Sequence, residues 1–340
     1  MFVIREALPS DLDDVKRLAA DFDTVNLPDD ERALKKVLTQ SRQSFRGDRP
    51  VLKREYLFVL EDTERQKVVG TSLVIAQHGT RESPHVYFDV LDDERYSTTL
   101  DRHFKHKVLR IGYNFEGPTE IGGLVLDKSL RGDARQFGRQ LSFVRFLFIA
   151  MHPRRFRDTV IAELLPPLTK DGKSLLWESF GKKFTGMSYI EADFLSKENK
   201  EFIRTLFPSQ SIHATIFPEK VQRVIGQTGQ QTKGVERMLM RIGFRYAHRI
   251  DPFDGGPHFE ARVDEISLVK KVQKLPVSDD EPLDGSPEAL VAVERANGAL
   301  RFQAVRAPYT VKMGTVDLPQ AAKDALALLP TERVSVLPLE

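Results

Sequence analysis

The sequence contains no cysteine among its 340 residues. That excludes disulfide-stapled scaffolds, thiolate nucleophiles, and zinc or iron–sulfur sites held by cysteine. It contains no long apolar run. The most apolar stretch, residues 143–151, is interrupted by Arg145 and falls far short of the ~20 residues that cross a bilayer. It has almost no excess of one charge, since 51 Lys+Arg against 49 Asp+Glu leave +2. A surface so balanced offers no general attraction for nucleic acid or anionic membrane. The opening MFVIREALPS lacks the basic and apolar regions of a signal peptide, and no repeat with a period of about 20–50 residues runs through the chain. No HExxH or comparable ligand spacing occurs among the eight histidines, so no metal is expected. These absences predict a soluble, cytoplasmic chain with no nucleic-acid or membrane partner. What is present is 41% hydrophobic residues, including 22 Phe, enough for a sizeable core and for more than one domain.

The apolar pattern predicts a mixed α/β order. Residues 2–4 read as a strand. A helix follows from Ser10, with Ser10 and Asp13 at capping-box spacing and Leu12, Val15, Leu18, Ala19 and Phe22 on one face. The loop 23–28 stops it, and a more polar helix spans about 29–43. Apolar runs at 56–60 and 68–76 flank a polar turn and predict a hairpin, with Gly70 marking a bulge or a close backbone approach. Residues 77–118 yield only short strands. Residues 120–126 read as a strand, followed by an Arg-rich loop and a helix to about 151 whose inner face is Phe137, Leu141, Val144 and Phe148. A strand at 159–163, a helix at 173–180 stopped by Gly181, short helical stretches through 196–250 and a strand at 259–268 complete the main part. Residues 276–287 hold three prolines and four acids without a base, the composition of a linker. The short strands and single helix after it read as a separable β-rich appendage.

Two segments have the residues for chemistry. The loop 131–139 places Arg131, Arg135 and Arg139 around the start of a helix, where backbone N–H groups and guanidinium groups suit a pyrophosphate. The plain alternative is a solvated, Arg-rich helix start. Asp251-Pro-Phe-Asp-Gly-Gly-Pro257 combines a tight turn with two carboxylates. Asp251 and Asp254 either meet a cationic substrate group or only tie down the turn, and the adjacent His258 either manages a proton or faces solvent. His103 and His106 share a face only on a helix and read as solvated. No GxSxG supports a serine nucleophile.

The opening IREALPSDLDDVKRLA and the strand-loop-helix at 121–150 resemble acyl-CoA N-acyltransferases of the GNAT fold. Their acyl-CoA loop, Gln/Arg-x-x-Gly-x-Gly/Ala, is matched by Arg135-Gln-Phe-Gly138-Arg-Gln140, except at Gln140. More specifically, the chain resembles the arginine N-succinyltransferases over residues 1–270. The matches include Asn26-Leu-Pro28, Phe58-Val-Leu-Glu-Asp62, Arg145-Phe-Leu-Phe-Ile-Ala150, Trp177-Glu-Ser-Phe-Gly-Lys-Lys-Phe184, Val224-Ile-Gly-Gln227 and Ile250-Asp-Pro-Phe-Asp-Gly-Gly-Pro257. The resemblance implies a sheet flanked by helices in two GNAT-like halves: 1–195 binding acyl-CoA, and 196–274 completing the acceptor site. The linker 275–287 and the β-rich appendage 288–340 follow. It implies succinyl transfer from succinyl-CoA to the α-amino group of arginine, without a metal and with a homo- or hetero-oligomer as partner state. It places succinyl-CoA against Leu124, with the strand backbone at Val125 and Leu126 holding the pantetheine arm. The Arg-rich loop is expected to add Arg131, Arg135, Gly138 and Arg139, and the 251–257 turn to line the acceptor side with Asp251, Asp254, Gly255 and Gly256. The family's proton-donor histidine falls on Gly229, with His258 as the candidate substitute. The alternative function is a non-catalytic relative that binds acyl-CoA or an amino acid, or an inactive subunit of a two-subunit enzyme.

Overall fold

The computed structural model describes residues 1–20, 30–81 and 83–339. The readings at Phe22, the loop 23–28 and the match at Asn26-Leu-Pro28 lie outside the described residues. In chain order the strands are β1 (Phe2–Glu6), β2 (Glu55–Asp62), β3 (Lys67–Ile75), β4 (His85–Ser97), β5 (Arg102–Asn114), β6 (Thr119–Leu126), β7 (Thr159–Glu163), β8 (Ile212–His213), β9 (Arg245–Ile250), β10 (Pro257–Arg262), β11 (Gln273–Pro276), β12 (Glu288–Glu294), β13 (Phe302–Pro308), β14 (Thr310–Lys312), β15 (Thr315–Asp317) and β16 (Arg333–Pro338). The chain divides into two units. One holds Met1–Ala76, Thr119–Asp158 and Val263–Glu340, and the other Gln77–Pro118 and Thr159–Arg262. Both are sheets flanked by helices.

In the first unit the strand order is β11-β16-β12-β13-β1-β2-β3-β6. Strand alternation sorts the side chains of β2 onto two layers. Leu57 and Val59 join Val15 and Leu18 of α1 (Leu12–Ala20) and Leu34 and Leu38 of α2 (Glu31–Arg46). Tyr56 and Phe58 turn the other way, onto Phe148 of α3 (Phe137–Met151), at ring distances of 4.7 and 5.3 Å. The chain reversal into α1 is not fixed by the expected Ser10–Asp13 box. Asp11 accepts from the Leu8 N–H and pairs both oxygens with Arg5, at 2.8 and 2.9 Å. α2 starts at Asp30, whose side chain accepts from the Ala33 N–H, and ends on Gly47 at φ 85°. Gly70 is a close approach: a Cβ there would stand 2.6 Å from Leu141 and 2.9 Å from the Val125 carbonyl.

The C-terminal segment is part of this unit. β13 pairs with β1, placing Ile4 opposite Ala304 and Arg5 opposite Gln303. Val277, within the acidic stretch, is buried and bridges Val316. The expected division into a linker at 275–287 and a separate appendage at 288–340 therefore differs from the observed one. The reason is that β13 hydrogen-bonds to the edge of β1, and Val3 of β1 is buried in one cluster with Val291, Val305 and Val336.

In the second unit the strand order is β7-β10-β9-β4-β5-β8. β4 and β5 form a hairpin of 13-residue strands, where the sequence yielded only short pieces. Their outer halves are exposed, so no apolar alternation betrays them. Trp177 anchors the core, stacking on Phe253 at 5.2 Å and donating from Nε1 to the Met187 carbonyl. Gly181 does not end a helix; it begins a short one, Gly181–Thr185, against the Trp177 ring. The strand expected at 259–268 ends at Arg262, and Ser267–Lys271 is a helical turn.

Candidate functional site

In the first unit a cavity lies at the loop 131–139, where the sequence suggests an anion pocket. Asp127 accepts from Ser129 and turns the chain out of β6. Gln136 then sits in the left-handed region, at φ 54° and ψ 48°, and α3 begins at Phe137. Non-glycine residues held there cluster at functional turns. A cavity of about 470 Å³ is lined by Leu126, Arg131, Gly132, Phe137, Gly138 and Arg139, among others. The first-turn N–H groups of a helix have no partner within it and suit an anion. Arg135 is placed differently. Its guanidinium is held by Asp133, at 3.0 and 2.8 Å, and lies over the Phe2 and Phe137 rings. Along β6, Leu124 and Leu126 are half-exposed, whereas Val125 is buried among α1 and α2, so only its backbone faces a ligand.

The second unit brings together groups that are distant in sequence. His258 lies directly opposite Glu163 across the antiparallel β10–β7 pair. Its Nε2 is 3.5 Å from Glu163 Oε1, which is also 3.1 Å from His85 Nε2 and 4.0 Å from His78 Nε2. His258 is fully buried, so the solvent-facing alternative fails. Glu163 and His78 are the partly exposed members. Sequence reasoning missed Glu163, His78 and His85.

Burial raises the Glu163 carboxyl, but His258, His85 and His78 outweigh it and hold it well below the ordinary carboxylate value. Burial, and then His78, push His85 down to about 4, so at neutral pH it is a neutral imidazole whose Nε2 stands 3.1 Å from the Glu163 carboxylate. Burial and then the Glu163 charge push Asp251 up to about 7, and burial and then Asp251 push Asp254 well above its usual value. His78, His85 and Glu163 offer ligand atoms within 4.8 Å of one another, as do Glu163, Asp251 and His258. That is close enough for a cation, although the sequence spacing predicts no metal.

The turn at 251–257 is fastened by its own acids. Asp251 Oδ1 accepts from the Phe253 and Asp254 N–H groups, at 2.7 and 3.0 Å, and Asp254 Oδ1 accepts from Gly256 at 2.6 Å. These bonds favour the turn-fastening alternative over pairing with a guanidinium. Gly256 is required, because a Cβ there would stand 2.3 Å from the Leu164 carbonyl. Gly255 has φ 82°. On β5 His103 is exposed and His106 half-buried, with His106 Nδ1 2.9 Å from Thr215 Oγ1.

Gly229, where the resemblance puts the family histidine, is walled in. Its N–H donates to the Leu165 carbonyl at 2.8 Å, and a Cβ would stand 2.6 Å from the Pro166 carbonyl oxygen. Since backbone must move to admit any side chain, Gly229→His does not simply restore a proton donor. Gly229→Ala is expected to cost about 1–3 kcal/mol, read as a lower denaturation midpoint. An unchanged midpoint would show that the 165–166 backbone yields freely.

Comparison with known proteins agrees across the chain. A family profile described as "Arginine N-succinyltransferase beta subunit" matches residues 2–268. The arginine N-succinyltransferase of Shigella boydii serotype 18 is 32% identical over 343 aligned positions, covering 100% of this chain and 98% of that protein. The enzyme of the same name from Escherichia coli O139:H28 is 31% identical with the same coverage. Among solved structures, the arginine/ornithine succinyltransferase subunit AI from Pseudomonas aeruginosa superposes with a TM-score of 0.85 at 29% identity, covering 100% of this chain and 99% of that one.

Proposed function

The chain belongs to the arginine N-succinyltransferase family, and from that premise we propose that it transfers succinyl from succinyl-CoA to the α-amino group of arginine. The likeness over the whole length, in sequence and in fold, carries this reading. An acyl-CoA is the co-substrate. Its pyrophosphate is assigned to the pocket at the start of α3, with Arg131 and Arg139 as cations and Gly138 allowing close approach. Its pantetheine arm runs back along the half-exposed side of β6, past Leu126 and Leu124.

The reaction requires the α-ammonium to lose one proton before its nitrogen attacks the thioester carbonyl. The C–N bond then forms, the C–S bond breaks, and a second proton reaches the thiolate sulfur. Glu163 is assigned the first proton. Glu163 and Asp251 are both partly exposed, but Glu163 is held well below the ordinary carboxylate value and is ionised at neutral pH, whereas Asp251 is pushed up to about 7, so the Glu163 charge is the one that attracts an ammonium group. The buried imidazoles of His85 and His258 pack against its carboxylate, at 3.1 and 3.5 Å, and fix where it stands. His258 is thus a positioning residue rather than the group that meets substrate.

Incubation with succinyl-CoA and arginine is expected to release CoA thiol in step with α-N-succinylarginine, identified by mass. Thiol-free mixtures in which CoA still binds would favour the non-catalytic reading. In calorimetry, Arg139→Ala is expected to weaken CoA binding about 10-fold. Arg135→Ala is expected to weaken it less, since its guanidinium is already committed to Asp133. Equal affinity of wild type and Arg139→Ala would remove the pyrophosphate from this pocket.

A further inference from the structure

Arg145 lies on α3 with only 2% of its surface exposed. Its Nε donates to the Ser142 carbonyl at 3.1 Å, its Nη2 to Ser142 Oγ at 2.7 Å, and its Nη1 to the Gly122 carbonyl at 3.4 Å. Among the described residues no carboxylate pairs with it. Burial without a counter-charge lowers its pKa to about 9. A guanidinium has five N–H donors, and these three bonds leave one on each terminal nitrogen, the pair that a carboxylate accepts side by side. A buried cation with no anion is costly, and the cost is relieved when an anionic ligand arrives.

The position of Arg145 says which anion. Gly122 is half-exposed on β6, as are Leu124 and Leu126. Between Thr71 and Leu73 of β3 the register slips, so that Gly123 and Leu124 together face Ser72. Gly123 takes φ 55°, and its carbonyl accepts from Thr71 Oγ1 at 2.9 Å. An acyl arm entering from the α3 end of β6 passes Leu126 and Leu124, and at about 3.3 Å per residue its acyl group arrives over Gly122. We propose that Arg145 recognises the distal carboxylate of the acyl group and so makes the chain select a dicarboxylic acyl-CoA over a neutral one of the same length. The inference rests on the assignment of acyl-CoA to β6.

Calorimetry without arginine tests it, because no turnover is then needed. Wild type is expected to bind succinyl-CoA at least about 10-fold more tightly than butyryl-CoA, which has the same chain length and no charge. In Arg145→Met the two are expected to bind within about twofold of each other, with butyryl-CoA affinity retained. Arg145→Lys keeps the charge but not the fork and is expected to fall between. Equal binding of the two thioesters by wild type, or undiminished preference in Arg145→Met, overturns the proposal. A parallel loss of both thioesters does so too, since it shows that Arg145 only holds the Gly122 carbonyl. If Arg145→Met does not fold, Arg145→Lys decides: an unchanged preference overturns the proposal and a reduced one supports it. Binding of neither thioester by wild type would instead overturn the acyl-CoA assignment itself, and this inference with it.

Discussion

Replacing Glu163 by glutamine is expected to lower the rate of succinyl transfer by about 10²–10⁴-fold, the range that general acid–base groups contribute. Glutamine keeps the size of the side chain and an oxygen beside His85 Nε2, which is 3.1 Å from Glu163 in wild type. The substitution therefore removes the charge and the proton acceptor while leaving β7 and β10 paired. The pH profile separates this from a structural effect. Glu163 is one of the causes that raise Asp251 to about 7, after burial. Removing a neighbouring negative charge favours the ionised form of Asp251, so its pKa falls. Any limb of kcat/KM near pH 7 that reports the cluster is expected to move to lower pH in Glu163→Gln. His258→Ala is expected to lower the rate less, because it acts through Glu163. A Glu163→Gln enzyme with wild-type rate and an unmoved pH profile would falsify the proton-handling assignment.

How much of this was legible in the sequence follows from which information is local. The α3 stripe of Phe137, Leu141, Val144 and Phe148 was legible, because helical periodicity shows itself within a dozen residues; all four are buried. The Arg-rich loop and the 251–257 turn were legible for the same reason. The cluster at Glu163 was not. Its members stand at 78, 85, 163 and 258, and only the register of β7 against β10 sets His258 opposite Glu163. Register depends on which face is buried and on turns elsewhere, so no local spacing announces it. Arg145 was visible as part of a family match, but its lack of a counter-charge is a property of packing. Gly229 shows the converse limit. Its identity invited a histidine, and only the neighbouring Pro166 carbonyl shows why no side chain is admitted there.

A chain ending at Lys274 is expected to aggregate when expressed, against the sequence-based expectation of a separable appendage. The acidic composition of 276–287 suggests a free linker, but the strands beyond it complete the first unit. Without β13, β1 loses the neighbour that pairs Ile4 with Ala304, and an unpaired strand edge is a template for association. Val3 would lose the buried cluster it shares with Val291, Val305 and Val336. The aromatic core would be opened as well. Phe302 has no exposed surface and packs 5.2 Å from Phe58 and 5.3 Å from Phe148, ring to ring. Arg306 pairs with Glu288 and donates to the Arg135 carbonyl, so the loop that leads into α3 would also lose a tether. Phe302→Ala in the full chain isolates one part of this. It creates a cavity in the aromatic layer and is expected to cost about 3–5 kcal/mol, measured by urea denaturation, while leaving a soluble protein. A soluble chain ending at Lys274, melting cooperatively and binding CoA as the full chain does, would show that the first unit closes without β13 and that the sequence-based reading of the tail was the better one.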